Sequence, residues 1–261
     1  MNPFDLHGRT ALVTGAFSGL GLHFARLLAR QGARVALVGR RLDLGRAVAA
    51  EITAEIGAEL GRPADVQAFA MDVSDAASVQ AGFASATAAL GCPGIIVNNA
   101  GNVLRQVSLD VSDADWRAVV DVNLSGVFRV AQAAARGLVQ AGQPGTLINI
   151  ASILGLRVRP AVASYAATKA AVVHLTQALA LEWAPHRIRV NALAPGYFET
   201  DINRDLLRSE IGQALIARIP QGRVGQLADL DGPLLLLASD ASAYMTGAVI
   251  PVDGGHLVNT L

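Results

Sequence analysis

The chain has a single cysteine, Cys92, so no intrachain disulfide can form and the fold needs no oxidising compartment. Histidine is scarce and scattered. His7, His23, His174, His186 and His256 contain no His-x-x-x-His pair, and Cys92 has no thiol partner, so no metal site is expected. An excess of one charge is also missing. Twenty-one basic side chains balance twenty-one acidic ones, which argues against nucleic acid or anionic lipid as partners. The longest clean apolar run, Leu234 to Ala238, falls far short of the roughly 18 residues that span a bilayer, so no membrane partner is expected. The start, Met1-Asn2-Pro3-Phe4-Asp5, lacks the basic-then-apolar pattern of a signal peptide. No Pro/Ser-rich linker, internal repeat or low-complexity tract interrupts the chain. A cytoplasmic globular protein remains. With 261 residues, 52% of them hydrophobic, it is expected to be one domain, 1–261, around a large core.

What is present is alternation. Short apolar runs at Thr10–Thr14, Arg34–Val38, Val66–Ala70, Gly94–Val97, Thr146–Ile150, Ile188–Leu193 and Ala248–Val252 read as strands. Between them, helices are expected over Gly19–Gln31, Leu42–Leu60, Asp75–Leu90, from a capping box at Ser112–Asp115 to about Gln140, and over Val162–Trp183. Two more are expected at Asn203–Ile219 and Leu227–Ser239. Strands apolar at consecutive positions must be covered on both faces. The expected fold class is therefore α/β, a Rossmann-type doubly wound parallel sheet of about seven strands with helices on both faces. Ligands bind such sheets beyond the carboxyl ends of the strands.

The first strand runs into Thr14-Gly15-Ala16-Phe17-Ser18-Gly19-Leu20-Gly21, which opens the first helix. Gly15 permits a tight turn, Gly19 lets backbone approach a pyrophosphate, and Gly21 lets helix pack on strand. Free amides and the positive end of the helix dipole then attract phosphate. About 20 residues on, where a site for NAD offers a carboxylate, stand Gly39, Arg40 and Arg41. Arginines there suit the extra phosphate of NADP, with NAD possible, although the same pair also fits solvated charge at a strand end. Asp72 and Val73, after the third strand, are candidates to hold adenine; Asp72 equally fits a turn before the next helix.

Tyr165 and Lys169 stand four apart on an expected helix and so share a face. Ser152 ends the fifth strand, 13 residues earlier. The group suits carbonyl chemistry: a phenol exchanging a proton, an ammonium favouring its ionised form, and a hydroxyl holding the substrate oxygen. Asn123, a mediocre helix former inside a helix, is placed to hold a water that relays protons. Ser152 lacks the Gly-x-Ser-x-Gly elbow of a hydrolase nucleophile.

These ordered pieces, with Asn98-Asn99-Ala100-Gly101, Pro195-Gly196 and the closing Val252-Asp253-Gly254-Gly255, resemble single-domain short-chain dehydrogenases/reductases over nearly the whole length. The resemblance implies Tyr165 as general acid/base, Lys169 as the group that lowers its pKa and binds the nicotinamide ribose, Ser152 as the residue orienting the carbonyl, and Asn123 as completing the relay. It implies that Asn99, Ala100 and Gly101 border the adenine ribose. It also implies that the backbone at Pro195, Gly196 and Phe198, with Thr200, meets the nicotinamide carboxamide. A substrate lid at 197–220 and a homotetramer packed through the helices of Asn123 and Tyr165 follow from the same resemblance. Two departures stand out: Phe17 replaces a frequent small polar residue, and Leu227 a frequent proline. The substrate implied is a small carbonyl or alcohol. The stretch Ala194 to Thr200 is similar to members acting on gluconate-like polyols, while much of the framework is similar to 3-oxoacyl-carrier-protein reductases. Only Arg136 ends the Asn123 helix as a basic group, too little for an acidic carrier protein. A non-catalytic dinucleotide sensor is the reading of another class, and the retained Ser152, Tyr165 and Lys169 argue against it. Arg157 and Arg159 fit an anion contact or a surface position equally.

Overall fold

A computed structural model describes residues 4–199, 207 and 209–259. Seven strands form one parallel sheet in the order β3-β2-β1-β4-β5-β6-β7. They are β1 (Thr10–Thr14), β2 (Arg34–Gly39), β3 (Val66–Ala70), β4 (Ile95–Asn98), β5 (Gly145–Ile150), β6 (Ile188–Pro195) and β7 (Val249–Val252). The α-helices with described bounds are α1 (Gly19–Arg30), α2 (Leu42–Leu60), α3 (Ala76–Leu90), α4 (Asp113–Val120), α5 (Gly126–Ala141), α6 (Ala163–Trp183), α7 (Glu210–Ile216) and α8 (Asp231–Ala238). The strand order reverses between β1 and β4, which opens a crevice at their carboxyl ends.

The alternation of side chains along a strand divides the core into two. On β1, Ala11 and Val13 turn to one face and join Phe24 and Leu28 of α1, Ile52 of α2 and Leu234 of α8. Leu12 turns to the other face with Phe83 of α3 and Val130 and Leu138 of α5. Each fully buried side chain of this size contributes about 1.5–3 kcal/mol. Helix α5 shows why it forms here: Val127, Val130, Ala131, Ala134 and Leu138 are buried at helical spacing, and Gly142 closes it with a φ of 65°. At the far edge β7 pairs with β6, placing Pro251 beside Ala194. The carbonyls of Ala248 and Val252 accept from the N–H groups of Ala192 and Gly196.

Three expected helices differ in form. The segment opening at Ser112 is not one helix: a π-helical stretch, Asp121–Ser125, separates α4 from α5. Ser112 does cap α4, accepting from the Asp115 N–H at 3.1 Å, but the Asp115 carboxylate accepts from the Ser112 hydroxyl rather than from its backbone. The complete reciprocal box is at Gln226 and Asp229. It opens a 3-10 turn, Leu227–Leu230, before α8, because Pro233 lacks an N–H and crowds the carbonyl four residues back. Of the expected helix at Asn203–Ile219, residues 203–206 and 208 lie outside the described residues, and α7 stops short of Ile219 with Pro220 following. Among the described residues, no helix is long and apolar enough to cross a membrane, and no three His, Cys, Asp or Glu side chains gather as a metal site.

Candidate active site

The glycine-rich turn is held from behind. Thr14 Oγ1 accepts from the N–H groups of Asn99 and Ala100, both at 2.9 Å. The Asn99 amide donates to the carbonyls of Thr14 at 2.9 Å and Gly15 at 3.3 Å. A Cβ on Gly21 would come within 2.3 Å of the Gly15 carbonyl oxygen, so only glycine lets α1 approach the turn this closely. A Cβ on Gly15 would sit 3.0 Å from the Ala100 Cα. The start of α1 has no side-chain cap and no acidic residue in its first turn, leaving its amides for an anion.

Phe17 does not project freely. Its ring is buried against the end of β2 and the first turns of α2, where a Cβ on Gly39 or Gly45 would come within 2.7 Å or 2.4 Å of it. The two glycines make room for the ring. Arg40 and Arg41 are exposed at the rim of the same cleft, with no carboxylate in ion-pair contact among the described residues. Asp72 reaches the cleft, but Oδ1 accepts from the Ser74 N–H at 2.9 Å and the Ser74 hydroxyl at 2.6 Å. Those bonds, followed by the Arg40 charge, hold its carboxyl below the usual range despite some opposing desolvation. That oxygen therefore serves its own turn, as the sequence also allowed.

Helix α6 is fixed over the sheet by a buried ladder. Asn98 of β4 donates to Asn149 Oδ1 of β5 at 2.9 Å, and Asn149 donates to Thr176 Oγ1 of α6 at 2.9 Å. Gly155 completes the seating, since a Cβ there would lie 2.7 Å from the Lys169 backbone. This brings the end of β5 against the start of α6. Ser152, Tyr165 and Lys169 then share one cavity of about 710 Å³ with the glycine turn, Val73, Ala100 and Gly101.

Lys169 is the chain's only lysine. It is buried, its Nζ donates to the Ile150 carbonyl at 2.7 Å, and it lies 5.6 Å from the centre of the Tyr165 ring. Burial lowers its pKa to about 8. Tyr165 moves opposite to the expectation: burial pushes its phenol up, the Ser152 hydrogen bond draws it partly back, and neighbouring Tyr197 pushes it up further. The protein by itself therefore keeps the proton on Tyr165. Ser152 Oγ also accepts from the Leu154 N–H at 3.1 Å.

Asn123 is fully buried in the π-helical turn. Its side chain accepts from the Asn102 N–H and donates to the Asn102 carbonyl, both at 2.8 Å. The extra residue of that turn carries the amide inward, and its side-chain atoms are engaged in holding the loop after β4. Gly101 lies next to both Asn123 and Lys169. Pro195, Gly196 and Phe198 line the far side of the cleft, with Gly196 tight against Asp253. Thr200 lies outside the described residues. Sequence reading passed over Asn102, Val103 and Arg105, which also line the cleft. They sit in an irregular loop with no periodicity to mark them.

The residues present fit a dinucleotide. The turn would take a pyrophosphate at its bare amides, and the exposed arginines would take an added ribose phosphate. A larger opening of about 1020 Å³ lies at the opposite end of the sheet, around the amino ends of the strands. Arginines there serve helix and loop carbonyls: Arg187 donates to Gly142, and Arg189 to Leu237 and Ser239.

Comparison with known proteins follows the same lines. Residues 15–256 match the family model described as enoyl-(acyl carrier protein) reductase. The chain is 39% identical over 259 residues to 2-dehydro-3-deoxy-D-gluconate 5-dehydrogenase of Dickeya dadantii, covering 98% of each. It is 40% identical over 266 residues to the L-tagatose-forming galactitol 2-dehydrogenase of Cereibacter sphaeroides, covering 98% of this chain and 97% of that one. Among solved structures, a gluconate 5-dehydrogenase from Burkholderia cenocepacia in complex with NADP and tartrate superposes with a TM-score of 0.92, at 39% identity over 99% of both chains.

Proposed function

This chain belongs to the short-chain dehydrogenase/reductase family, and from that premise we propose how it works and on what. It is an NADP-dependent oxidoreductase that interconverts a secondary alcohol and a ketone. The substrate is a sugar acid or polyol, a reading supported by the names of its relatives and by their nearly complete overlap with this chain. The observation that carries the proposal is the convergence of Ser152, Tyr165 and Lys169 with the glycine turn in one cleft.

The bound cofactor supplies or accepts the hydride. Gly15, Ser18, Gly19, Leu20 and Gly21 bind its pyrophosphate through backbone amides, with Phe17 bracing the turn from beneath. Arg40 and Arg41 bind the ribose phosphate. Asp72 and Val73 border the adenine, and Asn99, Ala100 and Gly101 its ribose. Ser152 donates to the substrate oxygen. Tyr165, kept protonated by burial, gives its proton to that oxygen as reduction proceeds and takes it back in oxidation. Lys169 binds the nicotinamide ribose and stabilises the phenolate electrostatically. Asn123 positions the loop of Asn102 and completes the proton route. Pro195, Gly196, Phe198 and Thr200 hold the nicotinamide end.

The chain works as one catalytic domain, 1–261, with a lid at 197–220, of which 200–206 and 208 lie outside the described residues. The base of that segment is tied to Gly225, which donates to the Tyr197 carbonyl at 2.8 Å and accepts from the Glu199 N–H at 3.0 Å. A homotetramer in the cytoplasm, free of nucleic acid and membrane, completes the reading. The exposed Trp116 and Phe128 on α4 and α5 and Leu181 on α6 support such packing, and the balanced charge speaks against nucleic acid and anionic lipid as partners.

The test is a panel run in the direction each compound allows: sugar acids and polyols with NADP+ and NAD+, and simple ketones and 3-oxoacyl thioesters with NADPH and NADH. Sugar acids or polyols should lead with the phosphorylated cofactor, and Tyr165→Phe should lower turnover by about a thousandfold while retaining NADPH binding. Acyl thioesters leading the panel would instead identify a carrier-protein reductase. Cofactor binding with no turnover of any kind would indicate a sensor.

A further inference from the structure

One wall of the cleft lies outside the Ser152, Tyr165 and Lys169 group. Tyr197, just after β6, accepts a hydrogen bond from Arg159 Nη1 at 3.1 Å. Its ring lies on that of His256, with centroids 5.6 Å apart and planes at 36°. The His256 carbonyl accepts from Arg157, so the segment before α6 and the closing segment clasp Tyr197 between them. The Asp253 carboxylate fixes the closing segment, accepting from the N–H groups of Gly255 at 2.9 Å and Leu257 at 2.7 Å. On the other side, Ala161 holds a φ of 62°, a strained value for a residue with a side chain. Its carbonyl accepts from the Gln106 N–H at 2.9 Å, which pins the Arg159 loop across the cleft mouth.

Arg159 and Tyr165 line the same cavity, and Tyr197 is near enough to Tyr165 to oppose its ionisation. The guanidinium is exposed and, among the described residues, gives one hydrogen bond, to the Tyr197 hydroxyl. Among the described residues no carboxylate forms an ion pair with it. A built wall thus carries a cation that no described carboxylate matches, on the same side as the general acid.

We propose that Arg159, aimed by Tyr197, receives the carboxylate of a hydroxy acid or oxo acid and so selects sugar acids over neutral polyols. This rests on the oxidoreductase reading above. A guanidinium fork matches a carboxylate in both charge and geometry. Tyr197 acts as a positioning residue: it holds the fork in place without touching the reacting atoms.

Two measurements on the full chain test it. Calorimetric titration of the NADP-loaded protein with tartrate reads carboxylate binding directly. Steady-state oxidation of D-gluconate and galactitol reads selectivity as the ratio of the two kcat/KM values. Arg159→Gln should weaken tartrate and lower that ratio by about tenfold or more. Arg159→Lys should recover part of the loss, and Tyr197→Phe should shift the ratio in the same direction by less. Equal tartrate affinity in wild type and Arg159→Gln overturns the proposal, as does a wild type that does not bind tartrate. So does a loss seen in Arg105→Gln but not in Arg159→Gln. Should the wild type oxidise neither substrate, the substrate reading fails, while the tartrate titration still decides the role of Arg159.

Discussion

The Lys169 ammonium sits over the Tyr165 ring, 5.6 Å from its centre, and spends its hydrogen bond on the Ile150 carbonyl rather than on the phenol. The pair that the sequence spaced for proton exchange is therefore arranged for electrostatic influence. A cation over an aromatic face is attracted to it, and a buried cation favours a nearby anion strongly when one forms.

The first prediction concerns that ammonium. Because Lys169 is the only lysine, protein labelled at lysine Cε gives one carbon signal, whose titration should centre near 8. A midpoint near the ordinary 10.5 refutes the burial argument. Stability follows with a definite sign. The folded pKa is depressed, so the unfolded chain binds more protons between about 8 and 10.5, and the stability linked to Lys169 is full above that window and lost as pH falls through 8. A shift of this size corresponds to about 3 kcal/mol. Between pH 7 and 11, denaturant unfolding should show wild type gaining roughly that much over Lys169→Met; a constant gap rejects it.

Cofactor preference should rest on the two exposed arginines after β2. Each charge-assisted hydrogen bond to phosphate contributes about 1.5–3 kcal/mol. Replacing both Arg40 and Arg41 by Ala should therefore weaken NADPH by at least about tenfold, with NADH changed far less. Fluorescence titration of each cofactor measures this, and an equal loss for both would remove the arginines from phosphate recognition.

Asn123 should prove costly to replace. Truncation to Ala removes both hydrogen bonds to the Asn102 backbone, at about 0.5–1.5 kcal/mol for each. The loop of Gly101 and Asn102 would then loosen beside Lys169. Both the denaturation midpoint and NADPH affinity should fall; an unchanged midpoint would contradict the loop-holding role.

Much of this was legible from local pattern. Strand β1 and helix α2 fall at the bounds the sequence suggested, because consecutive apolar residues and helical spacing are local signals. The glycine turn was legible because a close approach admits nothing larger than hydrogen at Gly21. What escaped depends on distant contacts. The π-helical turn at Asn123 answers to Asn102, 21 residues away, and no periodicity announces it. Phe17 reads as a departure from pattern until Gly39 and Gly45 are seen to make room for it. The wall of Arg159, Tyr197 and His256 joins segments about forty and a hundred residues apart, so neither arginine of that loop could be assigned a side in advance. Tyr165 misled for an electrostatic reason: its spacing to Lys169 is visible in sequence, but desolvation of the phenol is not.

The outer rim of β7 limits how the sheet can grow. Ala248 and Val252 turn their peptide groups inward to β6, so Val249 and Pro251 present theirs outward, and a proline has no hydrogen to give. A foreign strand arriving there would find Val249 as the sole donor of the two, too little to extend the ladder. Ribbon-like stacking of sheets through this rim is thereby discouraged, and crowded solutions of the protein are shielded from one common route to fibres.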